Sequence, residues 1–506
     1  MRTRQALKNT VASLLLQVVL ALSGIVVPRF FTALYGSAVN GLVSSVSQFI
    51  SYMSLVEAGV GAAGTVALYG PLARQEQDRI NRILSAARSF YLRSGVIFGA
   101  LLAVLVVLYP AAVRSEIADT AFIRMMILVL SVNGIVDYFF LGKYRVLLQA
   151  DQRGYVISLI QIAGTVVMTA VSLLLIRWEV SSLLVKGAAA AVYLLRGVAV
   201  AAYVRRHYPW VDFRQKPDMG AFSQRWAALL HQIVGMVVNN TDIVLLTLLL
   251  KVGALAEVSV YSVYNLVAYS LSGLMNSISN GLGSGFGQVI SQKEERVLHQ
   301  SFASYEFLFF TVIFIAYTCM AVLLHPFVSL YSAAFTDGVV YVRWELVALF
   351  SLAGLLQSVR LPGLTILCAA GHYKQTQSRA VLEAVINLGV SLLLIGPMGI
   401  NGVLIGTCLS YLYRTTDVII YSARHFLPGT LKKTSRRLLR NSVTAAVLTM
   451  LGLRLIPQEM SGWLSWLGWA VAGGCGICGG FLAINLAFEP AQRRMLLDRV
   501  KALLRK

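Results

Sequence analysis

Long apolar runs, separated by short polar and basic segments, recur along the whole chain. A helix needs about 20 apolar residues to cross the hydrocarbon core of a bilayer. Stretches of that length lie near residues 11–28, 41–69, 89–113, 122–142, 155–177, 181–203, 222–250, 255–287, 302–331, 342–369, 378–396, 400–423, 438–456 and 462–486. The pattern predicts an all-α, polytopic membrane protein with about 14 transmembrane helices.

The composition agrees with a chain whose solvent is the bilayer. Hydrophobic types make up 57% of the 506 residues and charged types only 13%, against about 25% charged residues in an ordinary soluble domain. The net charge of +21 comes from basic residues scattered between apolar runs, so we expect no nucleic-acid partner. Cys475 and Cys478 form a C-x-x-C pair with no second pair or histidine nearby, so we expect neither a metal site nor a cofactor.

Lysine and arginine are concentrated in alternate connections between the spans. The set of connections that contains both termini holds roughly 31 of the 43 basic residues, and the opposite set about 6. Cytoplasmic loops retain basic residues, so both termini are predicted to be cytoplasmic. The chain ends in leucines at helical spacing opposite basic residues, a pattern typical of a helix on anionic membrane lipids and equally consistent with a solvated tail.

The two halves of the chain match when one is shifted by about 218 residues. Tyr193 and Arg196 then fall on Tyr411 and Arg414. This repeat predicts two parallel six-helix lobes over 1–210 and 211–430, two additional transmembrane helices over 431–488 and a basic amphipathic cytoplasmic tail over 489–506. Two matched lobes favour an alternating-access transporter over an intramembrane enzyme.

Several runs resemble the bacterial polysaccharide-biosynthesis flippases of the multidrug/oligosaccharidyl-lipid/polysaccharide exporter superfamily. The similar runs are residues 35–61, Tyr69-Gly-Pro-Leu-Ala73, Asn239-Asn-Thr-Asp-Ile-Val-Leu-Leu246, Val258-Ser-Val-Tyr-Ser-Val-Tyr264 and Tyr305-Glu306. The resemblance implies a flippase that moves an undecaprenyl-pyrophosphate-linked oligosaccharide across the bacterial cytoplasmic membrane for cell-surface polysaccharide biosynthesis. It also implies a basic cavity between two helical bundles, and as partners a polysaccharide polymerase and glycosyltransferases of the same pathway.

Basic residues within the spans are candidates to bind a pyrophosphate, because a charge inside a membrane is costly and guanidinium binds phosphate through two donors. Arg196 and Arg414 lie about nine or ten residues from the ends of their helices, roughly 14 Å deep. An alternative for Arg414 is an ion pair with Asp417, three residues on. Further candidates are Arg360, which precedes a proline, and three residues near the outer ends of spans that could instead reach the interface, Arg29, Arg124 and Lys186.

Carboxylates within the spans are candidates for coupling or gating, because a buried carboxylate can bind and release a proton. The candidates are Glu57, Asp137, Asp242 and Glu306, and Glu383 is a further carboxylate within a span. The alternative for each is a structural ion pair with an arginine of a neighbouring helix.

Two other functions are compatible with parts of the sequence. A multidrug/cation antiporter of the same fold would need an apolar or acidic cavity, against which the deep arginines argue. A membrane glycan polymerase would need a large outer loop with catalytic residues, whereas outer connections such as 109–120 and 331–341 are short. No ATP-binding or nucleophile motif occurs in the sequence, so we expect a transporter and no enzyme.

Overall fold

The computed structural model describes residues 2–57, 59–113, 117, 119–222, 225–250, 253–291, 294–490 and 492–494. These residues form helices and connections, and no β-strand occurs among them. The helices are α1 (Arg2–Tyr35), α2 (Ser37–Met53), α3 (Val60–Arg74), α4 (Gln77–Val113), α5 (Thr120–Val136), α6 (Gly142–Ala150), α7 (Gly154–Arg177), α8 (Ser182–His207), α9 (Arg225–Leu249), α10 (Ala254–Ser291), α11 (Glu295–Ser332), α12 (Trp344–Val359), α13 (Leu361–Ala369), α14 (Tyr373–Met398), α15 (Ile400–His425), α16 (Leu431–Leu455) and α17 (Trp463–Phe488).

Eleven helical segments in the described part of the chain are long and apolar enough to cross a membrane. The prediction of an all-α, polytopic membrane protein is therefore confirmed. The remaining predicted spans, 222–250 and 255–287, correspond to α9 and α10, and 41–69 corresponds to α2 and α3.

The prediction of one continuous helix over 41–69 is wrong. A 3₁₀ turn, Ser54–Glu57, ends α2, and Gly59 then adopts a left-handed conformation with φ of 83°. Residues with a side chain rarely take this conformation, so the glycine starts a new helix at Val60 instead of continuing the first.

One pair of helices in the two halves of the chain has bounds that match the repeat. Helix α8 runs from residue 182 to 207 and α15 from 400 to 425, so both bounds recur after 218 residues. The segment that holds α5 and α6 is interrupted by a π turn, Asp137–Leu141, and its counterpart breaks between α12 and α13 at Arg360. The lobe boundaries predicted from the repeat stay a prediction.

The chain forms two compact units. The first contains residues 1–262 with 335–339 and 395–400, and the second contains residues 263–334, 340–394 and 401–506. Helix α4 supplies buried residues such as Leu84, Tyr91 and Phe98 to the core of the first unit.

Helix α11 is buried on most of its faces in the second unit, as expected of a helix that is apolar all round. The additional helices α16 and α17 both pack against it. Most of the tail predicted over 489–506 lies outside the described residues.

Candidate functional site in the first unit

Two helix interruptions in the first unit place carboxylates. Glu57 ends the 3₁₀ turn between α2 and α3, and Asp137 begins the π turn between α5 and α6. A π turn inserted into an α-helix rotates the following residues around the axis and is often found at functional sites. Both candidate carboxylates therefore lie where the backbone departs from a regular α-helix.

Asp137 is paired with an arginine from its own helical segment. Nη2 of Arg145 lies 2.7 Å from Oδ1 of Asp137, and the hydroxyl of Tyr193 donates to the same oxygen at 3.0 Å. The charges of this pair act on Glu57, whose Oε2 atom is buried without a hydrogen-bond partner among the described residues. The charges of Asp137 and Arg145 therefore neutralise each other, and the hydrogen bond to Asp137 holds Tyr193 beside the pair.

Arg196 is held by stacking and by a close helix crossing. Its guanidinium lies over the ring of Tyr193, 4.6 Å from the centroid, a cation–π contact. Its aliphatic stem crosses α7 at Gly164, where a Cβ atom would lie 2.4 Å from Cδ of Arg196. No ion pair to Arg196 is formed within the described ranges. The guanidinium is thus positioned, and its donors are not used by an acid.

A cavity of about 360 Å³ opens beside this cluster. Polar side chains on its wall are those of Arg145, Gln149, Gln161, Tyr193 and Arg196, and apolar residues of the π turn, α7 and α8 complete it. The volume falls in the range of small-ligand sites. Two guanidinium groups and two amides that converge on one space can donate several hydrogen bonds to an anion.

The repeat-related arginine of the second unit has a different environment. Arg414 is buried and pairs with Asp417 at 2.8 Å, while its Nε lies 3.6 Å from Glu383. Asp417 also pairs with Arg379, and Glu383 also pairs with Arg360. The intrahelical pair considered as the alternative for Arg414 is therefore present, and this arginine is embedded in a network of ions.

Glu306 and Asp242 are both buried and hydrogen-bonded. Glu306 pairs with Arg437 at 2.8 Å, and Thr434 donates to it at 2.7 Å. This contact joins α16 to α11, as the structural alternative for this residue requires. Asp242 accepts a hydrogen bond of 2.8 Å from Tyr261.

The three outer candidates do not line the cavity of Arg196. The ammonium of Lys186 lies 4.3 Å from the centroid of Phe31, and Arg29 lies over its neighbour Phe30 at 5.7 Å. Arg124 is exposed. The structure thus brings Arg196 together with Asp137, and places the outer basic residues elsewhere.

Sequence reasoning missed Arg145 as a site residue. The hydropathy pattern predicts the end of the span near residue 142, which assigns Arg145 to a loop. The helix instead continues as α6 to Ala150 and carries the arginine onto the cavity wall. Gln149 and Gln161 were missed because an uncharged polar residue in a helix gives no comparable signal.

Solved structures that match this fold include transporters. The chain matches a lipid II flippase MurJ in an inward closed conformation with a TM-score of 0.63 and 12% identity over 96% of this chain and 99% of the other. It matches an inward-facing multidrug resistance MATE family transporter of the MOP superfamily with a TM-score of 0.59 and 13% identity over 84% and 99%. It also matches a variant of the Vibrio cholerae MATE transporter VcmN, with a TM-score of 0.55 and 14% identity over 85% of this chain and 98% of the other.

No known protein-family profile matches the chain, and no curated protein matches it in sequence. The structural matches show that this multi-pass membrane protein has the fold shared by MATE transporters and the lipid II flippase.

Proposed function

We propose that the protein is a flippase that moves an undecaprenyl-pyrophosphate-linked oligosaccharide across the bacterial cytoplasmic membrane by alternating access. The observation that carries the proposal is Arg196, a deep guanidinium held at a cavity without an acid partner in the described structure. A membrane charge left unneutralised is costly unless it meets an opposite charge on a ligand. A lipid-linked pyrophosphate brings that charge.

The charge of the cavity supports an anionic rather than a cationic substrate. Arg145 and Arg196 line it, and Asp137, which pairs with Arg145, is the one acid that contacts either arginine in the described ranges. A multidrug/cation antiporter remains the second candidate because MATE transporters share the fold and because Glu57 has an oxygen without a hydrogen-bond partner there. The two functions differ in the sign of the charge they require.

The extent of the structural matches also supports the flippase. The match to the lipid II flippase covers 96% of this chain, and those to the two MATE transporters cover 84% and 85%. The match to the flippase thus covers more of this chain than the matches to the MATE transporters do. This chain has two helices, α16 and α17, after its repeated part. The predicted cytoplasmic termini and the pathway partners, a polymerase and glycosyltransferases, belong to the same proposal.

Substrate binding to purified protein tests this function. Titration with undecaprenyl diphosphate should show binding that falls about tenfold to a hundredfold in Arg196→Gln, because one charge-assisted hydrogen bond contributes about 1.5–3 kcal/mol. Arg124→Gln, which removes an exposed arginine outside the cavity, is the matched control. Equal affinity in wild type and Arg196→Gln, together with saturable binding of a cationic dye, would favour the antiporter. In cells, deletion should leave lipid-linked glycan on the inner leaflet.

A further inference from the structure

A second cluster of basic residues lies on the opposite face of α6 from the cavity. Lys143 and Arg145 are two positions apart, which separates their side chains by about 200° around a helix. Arg145 lines the cavity. Lys143 instead packs over the rings of Tyr144 and Phe213, with its Nζ 5.0 and 5.1 Å from their centroids.

The loop that follows α8 arranges this second cluster. Phe213 supplies the ring beneath Lys143, and its carbonyl oxygen accepts a hydrogen bond of 3.3 Å from Arg88. Asn81 holds the loop with two hydrogen bonds. Its side-chain amide donates to the carbonyl of Trp210 at 3.1 Å, and its side-chain oxygen accepts from the backbone N–H of Asp212 at 3.0 Å. The rings of Phe213 and Tyr144 meet edge to face at 5.4 Å. The positions of Lys143 and Arg88 are therefore both fixed by contacts with Phe213.

The cluster carries three positive charges. Arg88 and Arg205 both act electrostatically on Lys143, and no acid does so within the described residues. None of the three forms an ion pair there. Asp212, the acid nearest in sequence to Phe213, accepts the backbone N–H of Arg214 at 2.9 Å. Like charges that act on one another in this way repel unless an anion lies between them.

The position of the cluster favours a phosphate group at the membrane surface. Arg205 belongs to the last turn of α8, where the apolar span ends. Headgroups lie at this level of a bilayer, and basic pockets between transmembrane helices bind them. We propose that Arg88, Lys143 and Arg205 form a binding site for the phosphate of an anionic lipid headgroup or of a free phosphate compound, distinct from the substrate cavity.

Thermal unfolding of the full chain in neutral detergent tests the site. Dioleoylphosphatidylglycerol should raise the unfolding temperature of the wild type, and dioleoylphosphatidylcholine should not. Lys143→Gln and Arg205→Gln should each weaken the response to phosphatidylglycerol about tenfold, since each removes a charge-assisted contact. Arg206→Gln is the matched control, because Arg206 is the exposed neighbour of Arg205 and does not act on Lys143. Lys143→Arg should retain most of the response.

Inorganic pyrophosphate distinguishes the two sources of phosphate. Competition by millimolar pyrophosphate would assign the site to free phosphate compounds, and its absence would assign it to lipid headgroups. Equal responses to both probes in wild type, Lys143→Gln and Arg205→Gln would overturn the proposal. If those variants do not fold, the response of the wild type to phosphatidylglycerol is measured at two ionic strengths instead. Raising ionic strength from about 0.1 to 1 M shortens the Debye length from about 10 to 3 Å, so binding to a charged site must weaken. An unchanged response at high salt would overturn the site.

Discussion

Gly164 allows the Arg196 site to be disrupted without changing any charge. A Cβ atom at this position would lie 2.4 Å from Cδ and 2.6 Å from Cγ of Arg196, well inside the 3.0 Å that real Cβ contacts keep. In Gly164→Ala the aliphatic stem of Arg196 must therefore leave its course over α7. The guanidinium then leaves the face of Tyr193 and the cavity wall.

The expected effects on binding and on stability differ in size. Loss of one charge-assisted hydrogen bond, about 1.5–3 kcal/mol, weakens binding of a lipid diphosphate about tenfold to a hundredfold. Alanine is favoured over glycine in a helix by about 1 kcal/mol, and overpacking costs about 1–3 kcal/mol. The free energy of unfolding should accordingly fall by no more than about 2 kcal/mol.

The assay is a titration of purified Gly164→Ala with undecaprenyl diphosphate, with thermal unfolding followed in parallel. Gly187→Ala is the matched control, because a Cβ atom at Gly187 in α8 meets nothing within 4 Å. In an Arg196→Ala background, Gly164→Ala should have no further effect on binding, since there is no stem left to displace. Wild-type affinity in Gly164→Ala, or an equal loss in the Arg196→Ala background, would refute the placement of Arg196 in the site.

Three further predictions address the charges around the site and in the second unit. Glu57→Gln removes a titratable carboxyl group that is electrostatically coupled to Arg145 and Asp137, so diphosphate binding should be kept while the pH dependence of transport changes. A normal pH profile of transport would contradict this. In Asp337, partial burial raises the carboxyl pKa, but hydrogen bonds from Ser37 and from the backbone N–H groups of Val339 and of Asp337 itself outweigh it and leave the pKa low. Its stabilisation is therefore present above about pH 4 and lost as pH falls through the lowered pKa, so Asp337→Asn should cost about 1 kcal/mol or less at pH 7 and nothing in acid, as measured by thermal unfolding at both pH values. Arg437→Gln leaves the buried carboxylate of Glu306 without its arginine, while Glu489 keeps its pair with Arg440. It should lower the free energy of unfolding by about 3–5 kcal/mol, whereas the exposed neighbour Arg436→Gln should have no effect in the same denaturation experiment.

Hydropathy predicted the helices well where each is a regular span. Helix α8 was expected over 181–203 and is found over Ser182–His207, and this span alone placed Arg196 deep in the membrane. The breaks at Asp137–Leu141 and Ser54–Glu57 were not predicted, because both lie inside apolar stretches whose mean hydropathy hides a change in backbone geometry.

The partners of the charged residues could not be predicted from the sequence, because they depend on which helix faces meet. Arg414 pairs with Asp417 on its own helix, a contact visible in the spacing, but also approaches Glu383, 31 positions earlier on α14. The close crossing of Gly164 and Arg196 likewise joins two helices, and no local pattern marks it. The sequence predicted which charged residues lie within spans, whereas whether each of them is ion-paired could be seen only in the tertiary structure.

The difference between the two repeat-related arginines follows from two positions. In the second unit Arg414 is held by Glu383 and Asp417. The positions 218 residues earlier hold Thr165 and Ala199, neither of which carries a negative charge. The first unit therefore lacks the acids that neutralise the arginine of the second, and Arg196 keeps its donors.

This difference leads to a prediction in which charge is added instead of removed. Ala199→Asp places a carboxylate three residues after Arg196 on an exposed position of α8, the same spacing as the 2.8 Å pair formed in α15. The new pair should occupy the guanidinium and weaken binding of undecaprenyl diphosphate about tenfold or more. Ala199→Asn has nearly the same shape without the charge and should bind as the wild type does. Equal binding by both variants would mean that the ligand does not depend on the free guanidinium, and would remove Arg196 from the site.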